Sequence, residues 1–488
     1  MADKEKLTAT LFASIARDRV TEKTPPSPGN DIDADRCAAL HNTLTLYGWF
    51  CSGKKINQLT KRTWWSTHGN DALKKILRPK LVRYLSKIFE VPNYHFFYHV
   101  SGLASPEHML RLADVVEDVE HDDPRLSEKY RFVIIYKSSE ALVSQPAGIV
   151  FDQQTGKALL MPSYHHVFNL KDPDLPWQKM ETILSAYVDM VEGEKAVAIH
   201  DEATVEMEDD AAQKGGDLVK NKSFARYKTR PWILQPYTLD DLHACIDAWA
   251  ALVKAIEKRA GITKQYQEPE DDDYDPNEID PLCSRTALNI AGIPRGFAYE
   301  VLSHAQQSDI SFIAPGIRLP KVEEFLQQPF KHIKQQFPKE TVGMKAPFLF
   351  LRCPGTVSAK EAKFRYPFST VESVPCGLYL DAFPNAQNPF EDACRLILPI
   401  RLGDRRYART SDGRSIIKSH CDLYQTGINP FVMRHGPKLA AVLENWLKHI
   451  ETGHWSVNSK GVEGGIGVWR QADSREHWWR YQSEHLVV

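Results

Sequence analysis

The sequence predicts an α+β fold in which helices and short strands are mixed, with no regular βαβ alternation. Three observations carry this. Between Thr238 and Gly261, Leu242, Cys245, Ile246, Trp249, Leu252, Val253 and Ile256 recur at three- and four-residue intervals, which lines them along one face of a helix. From Arg131 the period shortens to brief β-branched and apolar runs, RFVIIYK, AGIVFD and KALLMP, the last two joined by the compact loop QQTG as in a hairpin. Beyond Pro281 helical and extended patterns follow one another irregularly and no internal repeat is visible, which favours α+β.

In chain order, a short helical candidate is followed by TEKTPPSPGNDIDAD, whose prolines and acids mark a loose arm up to residue 35. An apolar, aromatic run over 37–50 precedes a second amphipathic segment with Leu73, Ile76, Leu77, Leu81, Leu85 and Ile88 in its stripe. Asn70 is placed to cap that segment and Pro79 to kink it. Ser105 and Pro106 open a helix running to Val119. After the hairpin, Met180, Ile183, Leu184, Tyr187, Val188 and Val191 define a helix over 176–192, and RPWILQPYT reads as a strand. The central helix then has Thr238 and Asp241 at capping-box spacing, Lys258 and Arg259 at its negative end, and Gly261 to stop it.

In the second half helices are expected over 297–306 and 321–337, the latter interrupted at Pro329, with strands in APFLFLRC and GLYLDAF. RLILPIRL fits a strand or the extension of a helix. Leu439, Val442, Leu443, Trp446, Leu447 and Ile450 mark a helix over 437–452 ended by Gly453, and Asp473 with Glu476 has capping-box spacing near the end. The resulting organisation is a partly disordered N-terminal arm (1–35), an N-terminal α+β half (36–265) with an exposed insertion (201–222), an acidic linker (266–281) and a C-terminal α+β half (282–488).

With 42% apolar and 25% charged residues, the chain of 488 has the composition of a globular protein, and a net charge of −2 supplies no global field for nucleic acid or membrane. The charged N-terminus resembles neither a secretory signal nor a transit peptide, and no apolar run approaches membrane-spanning length, so a soluble, cytoplasmic protein is expected. The eight cysteines are widely spaced without a CxxC pair, as free buried thiols are.

The common phosphate-loop, nucleophile-elbow and zinc signatures are absent. Between Lys54 and Lys87 stand ten Lys or Arg against one acid, Asp71, with Trp64 and Trp65 among them. Such interleaving can hold a nucleic-acid strand. The preferred reading is internal neutralisation, the acids Glu117, Asp118, Glu120, Asp122 and Asp123 being the nearest source of countercharge. Asp271, Asp272, Asp273 and Asp275 fit DDxxD, a magnesium-diphosphate pattern, but they lie between prolines without helical periodicity, so a solvated loop is preferred. His165 with His166, and His200 with Asp201 and Glu202, hold metal-binding residue types without a ready three-ligand geometry. Arg401, Arg405, Arg406, Arg409 and Arg414, with Asp404 and Asp412, suit an anionic small molecule or an acidic protein partner, or else an ion-pair network with the acidic insertions. His420, Cys421 and Asp422 are the first place to look for a nucleophile and base. No metal set or catalytic residue is assigned, the cofactor stays unknown, and nucleic acid and membrane are disfavoured as partners.

RPWILQPYTLDDLHACIDAW, SFIAPGIRLP and GVEGGIGVWRQADSREHW resemble segments of uncharacterised intracellular proteins of filamentous fungi. The resemblance spans most of the chain and implies a fungal origin, but it brings no activity or residue role. Two functions follow for test: an enzyme or small-molecule binder with a pocket at the junction of the halves, or an interaction protein that recruits a macromolecule through charged surfaces and insertions.

Overall fold

Helix α1 (Ala2–Ser14) leads through an ordered loop into α2 (Ala34–Cys51), around which the first core is built. The computed structural model describes residues 2–92, 94–114, 128–140, 145–164, 170–171, 175, 177–200, 230–262, 280–333, 346–380, 390–411, 413–425 and 436–483. The Asp33 side chain caps α2 by accepting the Arg36 N–H at 3.2 Å. Buried residues fall on most sides of α2, so its apolar positions make no single stripe for periodicity to detect. The loop before it is tied down despite its composition: Phe12, Ile15 and Ile32 are buried, and the Arg36 guanidinium donates to the carbonyls of Asp18, Arg19, Thr24 and Pro25.

After α3 (Trp64–His68), the expected kinked segment is two separate helices, α4 (Asp71–Ile76) and α5 (Pro79–Leu85). Asn70 caps α4 as expected, its Oδ1 accepting the Leu73 N–H at 2.9 Å. Pro79 starts a new helix instead of bending one, because the residue before a proline is pushed out of the helical region, and Arg78 is indeed extended. Strand β1 (Val100–Leu103), the short helix α6 (Pro106–Leu110), and strands β2 (Phe132–Ser138), β3 (Pro146–Asp152), β4 (Lys157–Ser163) and β5 (Gln178–Lys179) follow; the strands form an antiparallel meander in the order β1-β2-β3-β4-β5. The hairpin expected at QQTG is present, closed by the pair Asp152 and Lys157. Gly148 is required here, since its φ is +152° and a Cβ would lie 1.7 Å from the Tyr136 carbonyl oxygen. Helix α7 (Met180–Glu192) packs on α2 and β4, and β6 (Ala196–Ala198) pairs with β7 (Trp232–Leu234).

The central helix, α8 (Leu239–Ala260), has both hydrogen bonds of the Thr238/Asp241 capping box, and Gly261 ends it with φ +69°. Its buried stripe belongs to the second core, where Trp249 donates to the Gln306 carbonyl at 2.9 Å and packs against Phe350. The border between the cores thus lies ahead of α8, between Leu234 and Leu242, whereas composition suggested a border at 265. Around α8 are α9 (Arg285–Ala291), α10 (Phe297–His304), β8 (Phe312–Ala314), β9 (Ile317–Arg318), α11 (Val322–Phe325), β10 (Phe348–Ser358), β11 (Ser373–Leu380), β12 (Cys394–Ile397), α12 (Leu439–Glu451), β13 (Val457–Asn458) and β14 (Gly461–Val462). Their sheet runs β12-β11-β10-β9-β8-β14-β13, with one parallel pair, β14 on β8. RLILPIRL, which fitted a strand or a helix, begins as a strand, its first three residues lying in β12. Helices α8 and α12 lie side by side and run parallel: Lys438 bonds Asp241 at their starts, and Arg259 donates to the Glu451 carbonyl at their ends. The mixture is α+β, 39% helix and 20% strand.

Where the halves meet, Lys195, 3% exposed, lies 2.6 Å from Asp241 and 2.9 Å from Asp392, which is 2% exposed; Lys438 completes the cluster at 3.1 Å from Asp241. Phe390 reaches from the second half into the first core, under the Lys195 ammonium. Burial pulls the Lys195 ammonium down, but Asp392 and Asp241 outweigh it and hold its pKa above the ordinary value. The described junction thus holds a cluster of compensated charge.

Candidate functional site

A cavity lies inside the first half, between α2, α3, the chain over 89–96 and the start of the meander; its volume is about 310 Å³. That is at the small end of the roughly 300–1,000 Å³ typical of ligand sites. Its geometry begins with Trp64. Thr63 caps α3, the Trp64 indole is fully buried and donates to the Ala104 carbonyl at 2.8 Å, and the Trp64 N–H reaches the Ile88 carbonyl at 3.2 Å. The Glu90 N–H meets the Arg62 carbonyl at 2.9 Å, so the chain over 88–90 runs beside the entry to α3. One turn on, His68 therefore faces Glu90.

The His68 Nε2 and Glu90 Oε1 are 2.9 Å apart. A carboxylate only accepts, so Nε2 carries a proton, and in the neutral form of the ring Nδ1 presents its lone pair; among the described residues Nδ1 has no hydrogen-bond partner. At the back of the cavity His41 is used differently. Its Nε2 lies 2.9 Å from the Phe89 carbonyl, which can only accept, so Nδ1 accepts from the Tyr136 hydroxyl at 2.8 Å, and Tyr136 in turn accepts from Tyr84. Burial lowers the His41 pKa to about 4 and its ring is stacked on Phe96, so His41 is a neutral, satisfied wall residue. The Ser101 hydroxyl, on β1, is directed at the carbonyls of Lys137 and Ser138. At the end of the same strand pair His99 Nε2 and the hydroxyls of Ser138 and Ser139 are buried without hydrogen-bond partners among the described residues, and burial lowers His99 to about 3.

None of His41, His68, Glu90, His99 or Ser101 stands out in sequence. The available signal was YHFFYHV, where histidines inside an aromatic run are forced indoors and need partners. Asp71 was the only acid inside the basic span, and Glu90 lies just beyond its edge.

The residues singled out earlier fare variously. His165, His166, Asp201, Glu202, Asp271, Asp272, Asp273, Asp275 and Asp412 lie outside the described residues, as do Glu117, Asp118, Glu120, Asp122 and Asp123. His200 is exposed and covers Gly53, where a Cβ would come within 1.9 Å of its Nε2. The basic span is neutralised in part, from an unexpected source: Arg78 and Lys80 lie near Asp31, and Arg83 and Lys87 pair with Asp35. Trp64 is core and offers no stacking face.

His420 and Cys421 are no dyad. His420 Nδ1 donates to the Leu398 carbonyl at 2.8 Å, while the Cys421 thiol lies beside Asp422 and is pushed up to about 11, mainly by burial and then by that carboxylate. Asp473 begins no α-helix. Its buried carboxylate accepts four N–H groups, from Gly403 at 3.0 Å, Arg405 at 2.8 Å, Tyr407 at 2.9 Å and Ala408 at 3.0 Å, so the residue read as a cap organises the arginine loop from a distance. Arg401, Arg405 and Arg406 on that loop are exposed and make no ion pair among the described residues. Arg409 lies over Trp478, and Arg414 is half-buried. All eight cysteines are free. Among the described residues no three His, Cys, Asp or Glu side chains are grouped to hold a metal, and no helix is long and apolar enough to cross a membrane. No family model matches the chain, and comparison with curated proteins and with solved structures likewise finds no match.

Proposed function

We propose that the protein binds a small hydroxylated or amine-bearing molecule in the first-half cavity. The observation that carries this is the His68–Glu90 pair on a cavity of about 310 Å³. The open Nδ1 of His68 and the Glu90 carboxylate both accept, which calls for donors on the ligand, while Phe96, Pro92 and Leu103 supply an apolar wall for its body. A protonated amine would be favoured further by the carboxylate and by the aromatic ring. An imidazole oriented by a carboxylate is also the arrangement of a general base, so turnover of the bound molecule is a second reading carried by the same pair.

The test is a saturation-transfer NMR screen of amines, polyols and carboxylates against the full chain and two variants. Thr67→Trp fills the mouth from an exposed helical position, and Glu90→Gln removes the charge while keeping the shape. Amines or polyols should bind the wild type, be lost in Thr67→Trp, and weaken by roughly tenfold or more in Glu90→Gln. Hits that survive Thr67→Trp, or a hit list made up of carboxylates, would place the ligand elsewhere or reverse its chemistry.

A further inference from the structure

The loop over 401–409 differs from an ordinary charged turn in how its acid is used. Asp473, the buried acid at its base, is occupied by four backbone N–H groups and so does not neutralise the arginines above it. The loop is held in shape while Arg405 and Arg406 project into solvent. Arg406 itself has φ +65°, a left-handed conformation that a non-glycine residue keeps only when its surroundings impose it. Apolar surface borders these cations: Tyr407 is 37% exposed, Ile417 78% and Trp479 54%. The segments that carry them are held together, because the Ile416 N–H meets the Ala408 carbonyl, Arg409 lies over Trp478, and the Gln482 side chain bonds the Thr410 carbonyl.

We infer that this face docks an acidic peptide segment of a partner protein, one in which carboxylates alternate with large apolar residues. Guanidinium forks match carboxylates in two-bond geometry, and Ile417 and Trp479 supply apolar contact beside them. A nucleic-acid strand fits less well. The Trp478 and Trp479 rings already carry guanidinium groups, from Arg409 at 5.7 Å and Arg480 at 5.3 Å, and base stacking would have to displace or share them. The surface is independent of the cavity in the first half, so neither proposal depends on the other.

Fluorescence anisotropy on the full chain tests it, with a labelled peptide of glutamates around a Leu-Phe pair. The glutamine version of that peptide and a single-stranded oligouridylate are the comparisons. The acidic peptide should bind, weaken with added salt, and lose roughly tenfold or more in affinity on the exposed double reversal Arg405→Glu, Arg406→Glu. Arg406→Gly separates recognition from folding: it should weaken the peptide while leaving the thermal midpoint unchanged or raised, since glycine accepts the left-handed conformation. Equal binding of the glutamine peptide would overturn the inference. So would unchanged affinity in the double reversal with a native midpoint, or tighter binding of the oligouridylate.

Discussion

Two basic segments of this chain lie near acids, and the acids serve them differently. In the first half Asp31, on the loop before α2, and Asp35, in the first turn of α2, turn their carboxylates onto Arg78, Lys80, Arg83 and Lys87. In the second half Asp473 turns inward to the backbone of the arginine loop. The first arrangement neutralises side chains and leaves the backbone to its helices; the second fixes a backbone that lies outside the helices and named strands and leaves Arg405 and Arg406 without an ion pair among the described residues. Charge density along a sequence therefore does not state whether a charge is available. What decides is whether the nearby carboxylate meets an N–H or a cation.

The comparison breaks most readily at Trp64. If the basic span were a stacking surface, Trp64→Ala would weaken a ligand and spare the fold. As a fully buried indole bonded to Ala104 it should instead cost roughly 3–5 kcal/mol, read as a fall in the urea midpoint. Trp249→Ala in the second core should cost a similar amount, while Lys254→Ala on the exposed side of α8 should change little.

Next in size is Asp473→Ala. Four N–H groups lose a charged acceptor, two of them in buried bonds, and a loss of about 3 kcal/mol or more is expected. Hydrogen exchange should accelerate at Gly403, Arg405, Tyr407 and Ala408, with little change at the amides of β10 and β11. Uniform acceleration across the second sheet would mean that Asp473 supports the core and not the loop.

Acid should act through buried groups. His41, near 4, and His99, near 3, stay neutral in the folded chain, while in the unfolded chain each titrates near 6.5. The unfolded state then binds protons first as the pH falls. Each such histidine withdraws about 1.4 kcal/mol of stability per pH unit between its unfolded and folded values. Asp241 works at lower pH. Burial and Asp392 push it up, but Lys195 and Lys438 outweigh them and hold it below the ordinary carboxylate value. Its contribution is present above about pH 4 and is lost on going below. The urea midpoint should therefore fall between pH 7 and pH 5, and His41→Gln should flatten that fall; an unchanged slope would show that His41 does not stay neutral.

The smallest change in stability belongs to the exposed pairs. Asp35→Asn should shift the midpoint by less than about 1 kcal/mol, yet it frees Arg83 and Lys87 and should raise weak, salt-sensitive binding of an oligonucleotide. If that binding does not rise, Asp35 is not what keeps the span neutral.

The sequence by itself determined the α+β class, the hairpin at QQTG and the central helix with its cap and stop, because each rests on neighbours within about four residues: a 3.6 or 2.0 period, a Thr-x-x-Asp box, a glycine able to turn left-handed. It could not place the helix's partner core, since an apolar stripe states that it is buried but not against what. It missed α2 for the opposite reason, a helix buried on most sides having no contrast between faces. The cavity pair was beyond it altogether: His68 and Glu90 are 22 residues apart and meet only because Trp64 is drawn into the core. Asp473 carried a true local signal, an acid at capping spacing, and the tertiary structure overruled it. Four unsatisfied N–H groups some 65–70 residues away gain more from that carboxylate than the start of one short helix would.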